Sequence, residues 1–298
     1  MEYYIEQLDF EDSNTIQMVL ALLNESFPNA NFDRAWWTWK YLQSPFGLPL
    51  GWGAKELVSN RIISVRILWR WKLCKGNKYK EAFQFIDSAT DINYRGKGIY
   101  SLLTKKALEY IKDSIIFDFP NSNSAPINLK LGWTNFGNIS WLVGVTYPIF
   151  LHSCNTRLIK MDNNISWKPE SNSGHNYYST KWTSELLEWR FKKHPNNNIY
   201  CYFSLKNTVV IVRIDKIKCV KVARIMYEEN LMEEYNSFIT SLFKENVFFY
   251  LYNAYNKDLY KKLKSKIGVF KIKRSFLFFG RNISQDSIAL DLSDTDFL

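Results

Sequence analysis

The chain has 298 residues, 46% of them hydrophobic and 17% aromatic, and a formal net charge of +10. That is enough apolar material for one large or two ordinary cores and excludes a disordered chain. No apolar run approaches the roughly 20 residues that span a bilayer, and the acidic start MEYYIEQLDF lacks the build of a signal peptide, so a cytoplasmic protein is expected. Cys74, Cys154, Cys201 and Cys219 form no CxxC, and His152, His175 and His194 make no metal spacing with them. Free thiols and no metal are expected.

Tyr3 to Leu8 reads as a first strand, and Asp12 or Ser13 can cap a helix carrying Ile16, Met18, Val19, Leu22 and Leu23. Phe32 to Leu42 is dense in tryptophan. Trp36, Trp37 and Trp39 cannot all face one way on a helix, so at least one is expected to line a cleft or a domain contact. Pro45 to Gly53 is a turn-rich connection to strands around Arg61 to Trp71 and Lys78 to Phe85, joined by Lys75-Gly76-Asn77.

From Phe83 the chain reads strand, turn, helix. Alternation puts Phe83, Phe85, Asp87 and Ala89 on one face of the strand and Gln84, Ile86 and Ser88 on the other. Ile99, Leu102, Leu103, Ala107, Leu108 and Ile111 recur at helical spacing. Between strand and helix lies Arg95-Gly96-Lys97-Gly98. Two residues without a Cβ let the backbone curl so that successive N–H groups point outward at a helix N-terminus, a geometry that holds a diphosphate. The alternative is a plain turn with two solvated cations.

The run Arg95 to Tyr100 resembles the acyl-CoA pyrophosphate loop of GNAT superfamily N-acetyltransferases, Gln/Arg-x-x-Gly-x-Gly/Ala. Arg95 and Gly98 match, while Tyr100 stands where a small residue is usual. An apolar strand from Ile115 to Phe119, then Pro120-Asn121 and later Gly132-Trp133, is similar to the family's second block, and the resemblance covers residues 1 to 150. It implies an α/β (α+β) fold with a mixed, mostly antiparallel sheet flanked by helices, and acetyl-CoA as acyl donor. It further implies that pantetheine runs along Ser88, Ala89 and Thr90. The diphosphate would sit on Arg95, Gly96, Lys97, Gly98, Ile99, Tyr100 and Ser101, and Asn121 would belong to the cofactor site. The family often places a general-acid Tyr seven residues beyond that Asn. Here the position is Asn128, so Tyr100 or a water takes the role, or the thiolate leaves unaided.

Acyl transfer to an amine also needs a proton acceptor. Asp87 is the only acid on the strand before the turn, and a carboxylate in an apolar strand must be paired or used. It is expected either as base, or as orderer of a water or substrate ammonium, or as a structural Asp satisfied by neighbouring backbone N–H groups.

Trp39 to Pro45 is echoed by Trp189 to Pro195, and Ile62 to Ile67 by Val209 to Ile214, at offsets of 150 and 147. Such echoes indicate duplication. The expected organisation is a GNAT-like acyl-CoA-binding domain over 1–160, a linker over 161–175 and a degenerate second GNAT-like domain over 176–298. Between Val220 and Phe248 there is no glycine, so the second copy lacks the loop. It nevertheless carries a net +8 over residues 151–298, against +2 over 1–150. Much of the excess lies between Lys257 and Arg281, a patch suited to nucleic acid or to solvent.

The leading expectation is an acyl-CoA-dependent N-acyltransferase acting on a small amine, such as an amino sugar or amino acid derivative. Two alternatives remain: a Fem-type aminoacyl or peptidyl transferase with a tRNA-borne donor, and a non-catalytic acyl-CoA-binding module.

Overall fold

The computed structural model describes residues 2–147, 157–161, 176–253 and 257–295. The chain divides into two units, Met1–Phe136 with Phe278–Ser287, and Gly137–Leu277 with Ile288–Leu298. The division falls inside a strand and not near residue 160, and a late segment returns to the first unit. Residues 162–175, most of the expected linker, lie outside the described residues.

The first unit opens with β1 (Tyr3–Gln7) and α1 (Ser13–Ser26). Asp12 is the cap, its carboxylate accepting from Thr15 N at 2.8 Å, an arrangement worth about 1 kcal/mol. Ile16, Val19, Leu22 and Leu23 form the buried stripe. A short α2 (Arg34–Trp37) runs into a π turn over Thr38–Leu42. Trp37 and Trp39 go to the core, and Trp36 stays half-buried. Next come β2 (Leu50–Glu56), β3 (Ile62–Lys75) and β4 (Lys78–Thr90), an antiparallel run continuing from β1. Then follow α3 (Ile99–Tyr110), β5 (Ile115–Asp118) and α4 (Ala125–Lys130). Helix α3 packs on β2 and β3, while α1 packs on β3 and β4.

Two departures from regular pairing shape this unit. Val65 pairs with Ala89 and Ile67 with Ile86, so Arg66 alone faces both Asp87 and Ser88. This is a β-bulge, and Asp87 takes φ 43° in it. Strict alternation, which would set Ser88 on the face away from Phe85, therefore fails: one guanidinium touches both. The second departure is between β4 and β5, which pair in parallel from Ala82/Ile115 to Gln84/Phe117 and no further. Beyond that point the arm Phe85–Thr90 is unpaired on the β5 side.

The second unit contains most of β6 (Thr134–Val145), then β7 (Ile159–Lys160), β8 (Ser179–Thr180), α5 (Ser184–Leu187), β9 (Tyr200–Leu205), β10 (Thr208–Ile217), β11 (Val220–Glu229), α6 (Tyr235–Lys244), β12 (Val247–Tyr252), α7 (Lys257–Lys264) and β13 (Val269–Arg281). Its sheet runs β6-β12-β11-β10-β9-β7, with β11 and β12 parallel. The core gathers Phe203, Val212, Ala223, Phe238, Leu242, Tyr250 and Leu263.

The end of β13 belongs to the first unit, where Phe279–Arg281 pair with β5. Gly280 is required there, because a Cβ would lie 2.2 Å from the ring of Phe136. Arg281 donates to the carbonyl of Leu131 at 2.5 Å, and Asn282 donates to those of Lys112 and Ser114.

Candidate active site

The turn between β4 and α3 is built on Asp91. Its Oδ1 accepts from Asn93 N at 2.9 Å and its Oδ2 from Arg61 at 2.7 Å. Burial pushes this carboxyl up, but the Asn93 N–H and Arg61 outweigh it and hold it below its ordinary value. Arg95 donates to Thr90 O at 3.0 Å and so ties the loop back to the strand. Gly96 and Gly98 both take φ 76°, and nothing lies within 4 Å of where a Cβ would stand on either. The α3 ladder begins with Leu102 N donating to Gly98 O at 3.0 Å, so the N–H groups of Ile99, Tyr100 and Ser101 have no partner one turn back. Lys97 Nζ stands 4.8 Å over the Tyr94 ring, beside them. The result is an open backbone concavity at the positive end of a twelve-residue helix.

The strand arm leads from this loop to the bulge. Ala89 is buried and its carbonyl accepts from Ser64 Oγ at 3.2 Å, while Thr90 Oγ1 lies 2.8 Å from the same hydroxyl. At the bulge, Asp87 Oδ2 accepts from Lys40 Nζ at 2.6 Å and from Tyr41 Oη at 2.5 Å, and Oδ1 takes neither bond. Lys40 is buried, with its ammonium 4.7 Å from the centre of Trp36 and 5.4 Å from that of Trp69. Asp87 is thus paired, and its partners are side chains of the π turn, not the backbone N–H groups that the structural alternative supposes.

Ser88 points into a second polar group that closes the opening between β4 and β5. Arg66, from β3, donates to Ser88 Oγ, and its Nη2 is 4.0 Å from Asp118 Oδ2 on β5. Its guanidinium lies between the rings of Phe85 and Tyr100, 4.3 and 4.6 Å from their centres. Nε and Nη2 of this buried side chain have no hydrogen-bond partner. Asn128 is fully buried, donates to Asp118 Oδ2 at 3.0 Å and lies 3.5 Å from Tyr100 Oη. Burial raises the Tyr100 phenol above its ordinary value, against the pull of Arg66.

Asn121 is exposed, and its Oδ1 accepts from Asn123 N and Ser124 N, both at 3.0 Å, which makes it the turn that starts α4. Thus Ser88 to Ser101 run along one continuous arm, loop and helix, Asp87 is held by the π turn, Tyr100 lies against Arg66 and Asn128, and Asn121 engages its own turn. The sequence reading passed over Lys40, Tyr41, Arg66 and Asp118. A signal existed for two of them: Lys40 and Arg66 are cations inside otherwise apolar runs, the same anomaly that singled out Asp87.

The second unit repeats parts of this pattern. Asp33 caps α2 and Thr183 caps α5, each side chain accepting from the backbone N–H three residues on, Trp36 and Leu186, just before a π turn. Arg190, at the echo of Lys40, is buried and donates to the carbonyls of Ser293 and Thr295. Arg213, at the echo of Arg66, pairs with Asp215. The connection from β11 to α6, Asn230 to Glu234, has Glu234 at the helix start without a side-chain cap bond. Glu234 Oε1 instead lies 2.6 Å from Lys206 Nζ, and its Oε2 accepts from Ser237 Oγ at 3.0 Å.

No family model matches the chain, and no curated protein does. Solved structures do. A GCN5-related N-acetyltransferase from Anabaena variabilis superposes with a TM-score of 0.68 at 12% identity, over 93% of this chain and 72% of that one. A probable N-acyltransferase from Enterococcus faecalis gives 0.67 at 12%, over 94% and 73%. The N-myristoyltransferase of Saccharomyces cerevisiae, solved with bound myristoyl-CoA, gives 0.58 at 11%, over 98% and 87%. The chain has the GNAT fold, a mostly antiparallel sheet flanked by helices.

Proposed function

We propose that the chain is an acyl-CoA-dependent N-acyltransferase, with acetyl-CoA as donor and a small amine as acceptor. One observation carries the reading: two left-handed glycines with open space above them begin α3, directly after a strand arm that has parted from its neighbour. The glycine loop and the N–H groups of Ile99 to Ser101 would receive the diphosphate. The free edge of Ser88 to Thr90 would receive pantetheine as an added strand. The thioester would then lie at the opening closed by Arg66, Ser88, Tyr100, Asp118 and Asn128, a polar lining suited to a two-carbon acyl group.

In this reading the amine attacks the thioester carbonyl carbon, a tetrahedral oxyanion forms, and the C–S bond breaks to release the CoA thiolate. Tyr100 supplies the thiolate's proton and is restored by the proton that the attacking nitrogen sheds as the C–S bond breaks, directly or through a water, with Asn128 and Arg66 fixing the phenol. Asp87 receives the ammonium proton of the acceptor through Oδ1, directly or by a water, while Lys40 and Tyr41 hold the carboxylate by its other oxygen. The second unit is a degenerate copy that binds no CoA, because no glycine opens the connection from β11 to α6 to a diphosphate. Thiol release from acetyl-CoA, measured across a panel of amino sugars and amino acid derivatives, tests the reading. Amine-dependent release supports it, and none with any amine, despite measurable acetyl-CoA binding, leaves a binding module.

A further inference from the structure

One end of the second unit's sheet is both apolar and basic. The tip of the β10–β11 hairpin reads Lys216-Ile217-Lys218-Cys219-Val220-Lys221, and every one of these residues is exposed. The pairing geometry sets the next elements beside it in order. Lys221 pairs with Val247 at the start of β12, where Phe248 and Phe249 are exposed. Phe249 pairs with Val145 at the end of β6, and Thr146 N donates to Phe248 O at 3.0 Å. Val145 N donates to Gly268 O at 3.0 Å, which brings in the turn between α7 and β13. That turn presents Ile267 and Phe270, 83% and 62% exposed, and Tyr147 beside β6 is 68% exposed.

These apolar tips lie among Lys216, Lys218, Lys221, Lys244, Lys264 and Lys271, all exposed, with Glu245 the acid among them. A solvated face does not need a row of aliphatic and aromatic tips, and a contiguous exposed apolar patch marks a contact surface. We propose that this end of the second unit docks on a bilayer surface rich in anionic headgroups. Lysines attract the headgroup charge, and Ile217, Val220, Phe248, Ile267 and Phe270 reach into the boundary with the acyl chains. Single-stranded nucleic acid fits less well, because bases stacked on Phe248, Phe249, Phe270 and Tyr147 would leave the aliphatic tips Ile217, Val220 and Ile267 without an apolar partner, which the acyl-chain boundary supplies. Among the described residues no helix is long and apolar enough to cross a membrane, so the contact is peripheral.

Co-sedimentation of the full chain with vesicles tests this. Binding is expected to phosphatidylcholine vesicles containing phosphatidylglycerol, not to pure phosphatidylcholine, and it should weaken as salt rises. Lys216→Gln/Lys218→Gln/Lys221→Gln should lower the partition about a hundredfold, since each lysine near the surface contributes roughly fivefold. Ile267→Ser/Phe270→Ser should weaken it at unchanged net charge. A control triple of exposed lysines in the first unit, Lys78→Gln/Lys80→Gln/Lys112→Gln, should bind like the unmodified chain. Circular dichroism confirms that each variant is folded. The proposal fails if anionic vesicles are not bound at low salt, if the control triple loses as much as the hairpin triple, or if the hairpin lysines matter for RNA and not for vesicles. These readouts are independent of any acyl transfer.

Discussion

Lys40 Nζ lies 2.6 Å from Asp87 Oδ2, and only 3% and 8% of the two side chains are exposed. The pair joins the π turn to the β4 bulge. Removing one partner of such a pair strands a buried charge, at a cost of about 3–5 kcal/mol. Lys40→Met should therefore destabilise strongly, and Lys40→Met/Asp87→Asn by less than the sum of the two single changes. Asn is the replacement because it tolerates the left-handed φ at position 87. Urea unfolding of the four proteins checks this; strict additivity would mean the pair is not coupled.

Asp87→Asn should also lower turnover with acetyl-CoA far more than it weakens acetyl-CoA binding, because the proposed work of Asp87 is on the amine. Steady-state kinetics against calorimetry separates the two. Unchanged turnover between pH 6 and 9 would make Asp87 purely structural.

Gly98→Glu should abolish acetyl-CoA binding while the chain stays folded. A Cβ at Gly98 meets nothing within 4 Å, so the structural cost is the left-handed backbone alone, about 1–2 kcal/mol. The carboxylate would occupy the anion site. Calorimetry giving an unchanged affinity for a folded variant would remove the loop from the cofactor site.

Tyr100→Phe should reduce kcat by about 10²–10⁴ with little change in KM, the range of one general acid. Because burial holds the phenol above its ordinary 10.0, the alkaline limb of kcat assigned to Tyr100 should lie above pH 10 and vanish in the Phe variant. A limb below that value, or one that survives the substitution, would assign it to another group.

Asp291, beside Asp294 and Glu228, is pushed well above 3.8, first by burial and then by those two carboxylates. In the pH range just above 3.8 the folded chain keeps the Asp291 proton that the unfolded chain has lost, so stability falls as pH rises through that window. Asp291→Asn should raise Tm at pH 8 and lose the advantage near pH 4. The same gain at both values would point to packing instead of charge.

The loop was legible because its conformation is written in residue types: two glycines one residue apart, next to cations, before a helical stripe. The bulge was not. It shifts Ser88 and Asp87 relative to Phe85 through one extra residue in the pairing with β3, and period-2 alternation cannot register that. Lys40 and Arg66 stand out as cations inside apolar runs, but a single charge in the sequence does not reveal a partner 47 residues away or a pair of aromatic rings around it. The pairing of Phe279 with Asp118 left no local mark either, and so the division between units fell 24 residues before the expected end of the first domain, at 136 and not 160.

The return of Phe278–Ser287 to the first unit sets an order of events on the ribosome. The strand that covers the outer edge of β5, with Gly280 under Phe136 and Arg281 on Leu131, is synthesised after every other part of the first unit. Until it emerges, β5 presents an open edge beside the parted arm of β4, and nascent chains stalled earlier would carry an unfinished first unit. Cutting the gene at the middle would not release an N-terminal half with a complete sheet. A rearranged chain in which residues 278–287 follow Phe136 through a linker would free that half from its dependence on the rest of the chain.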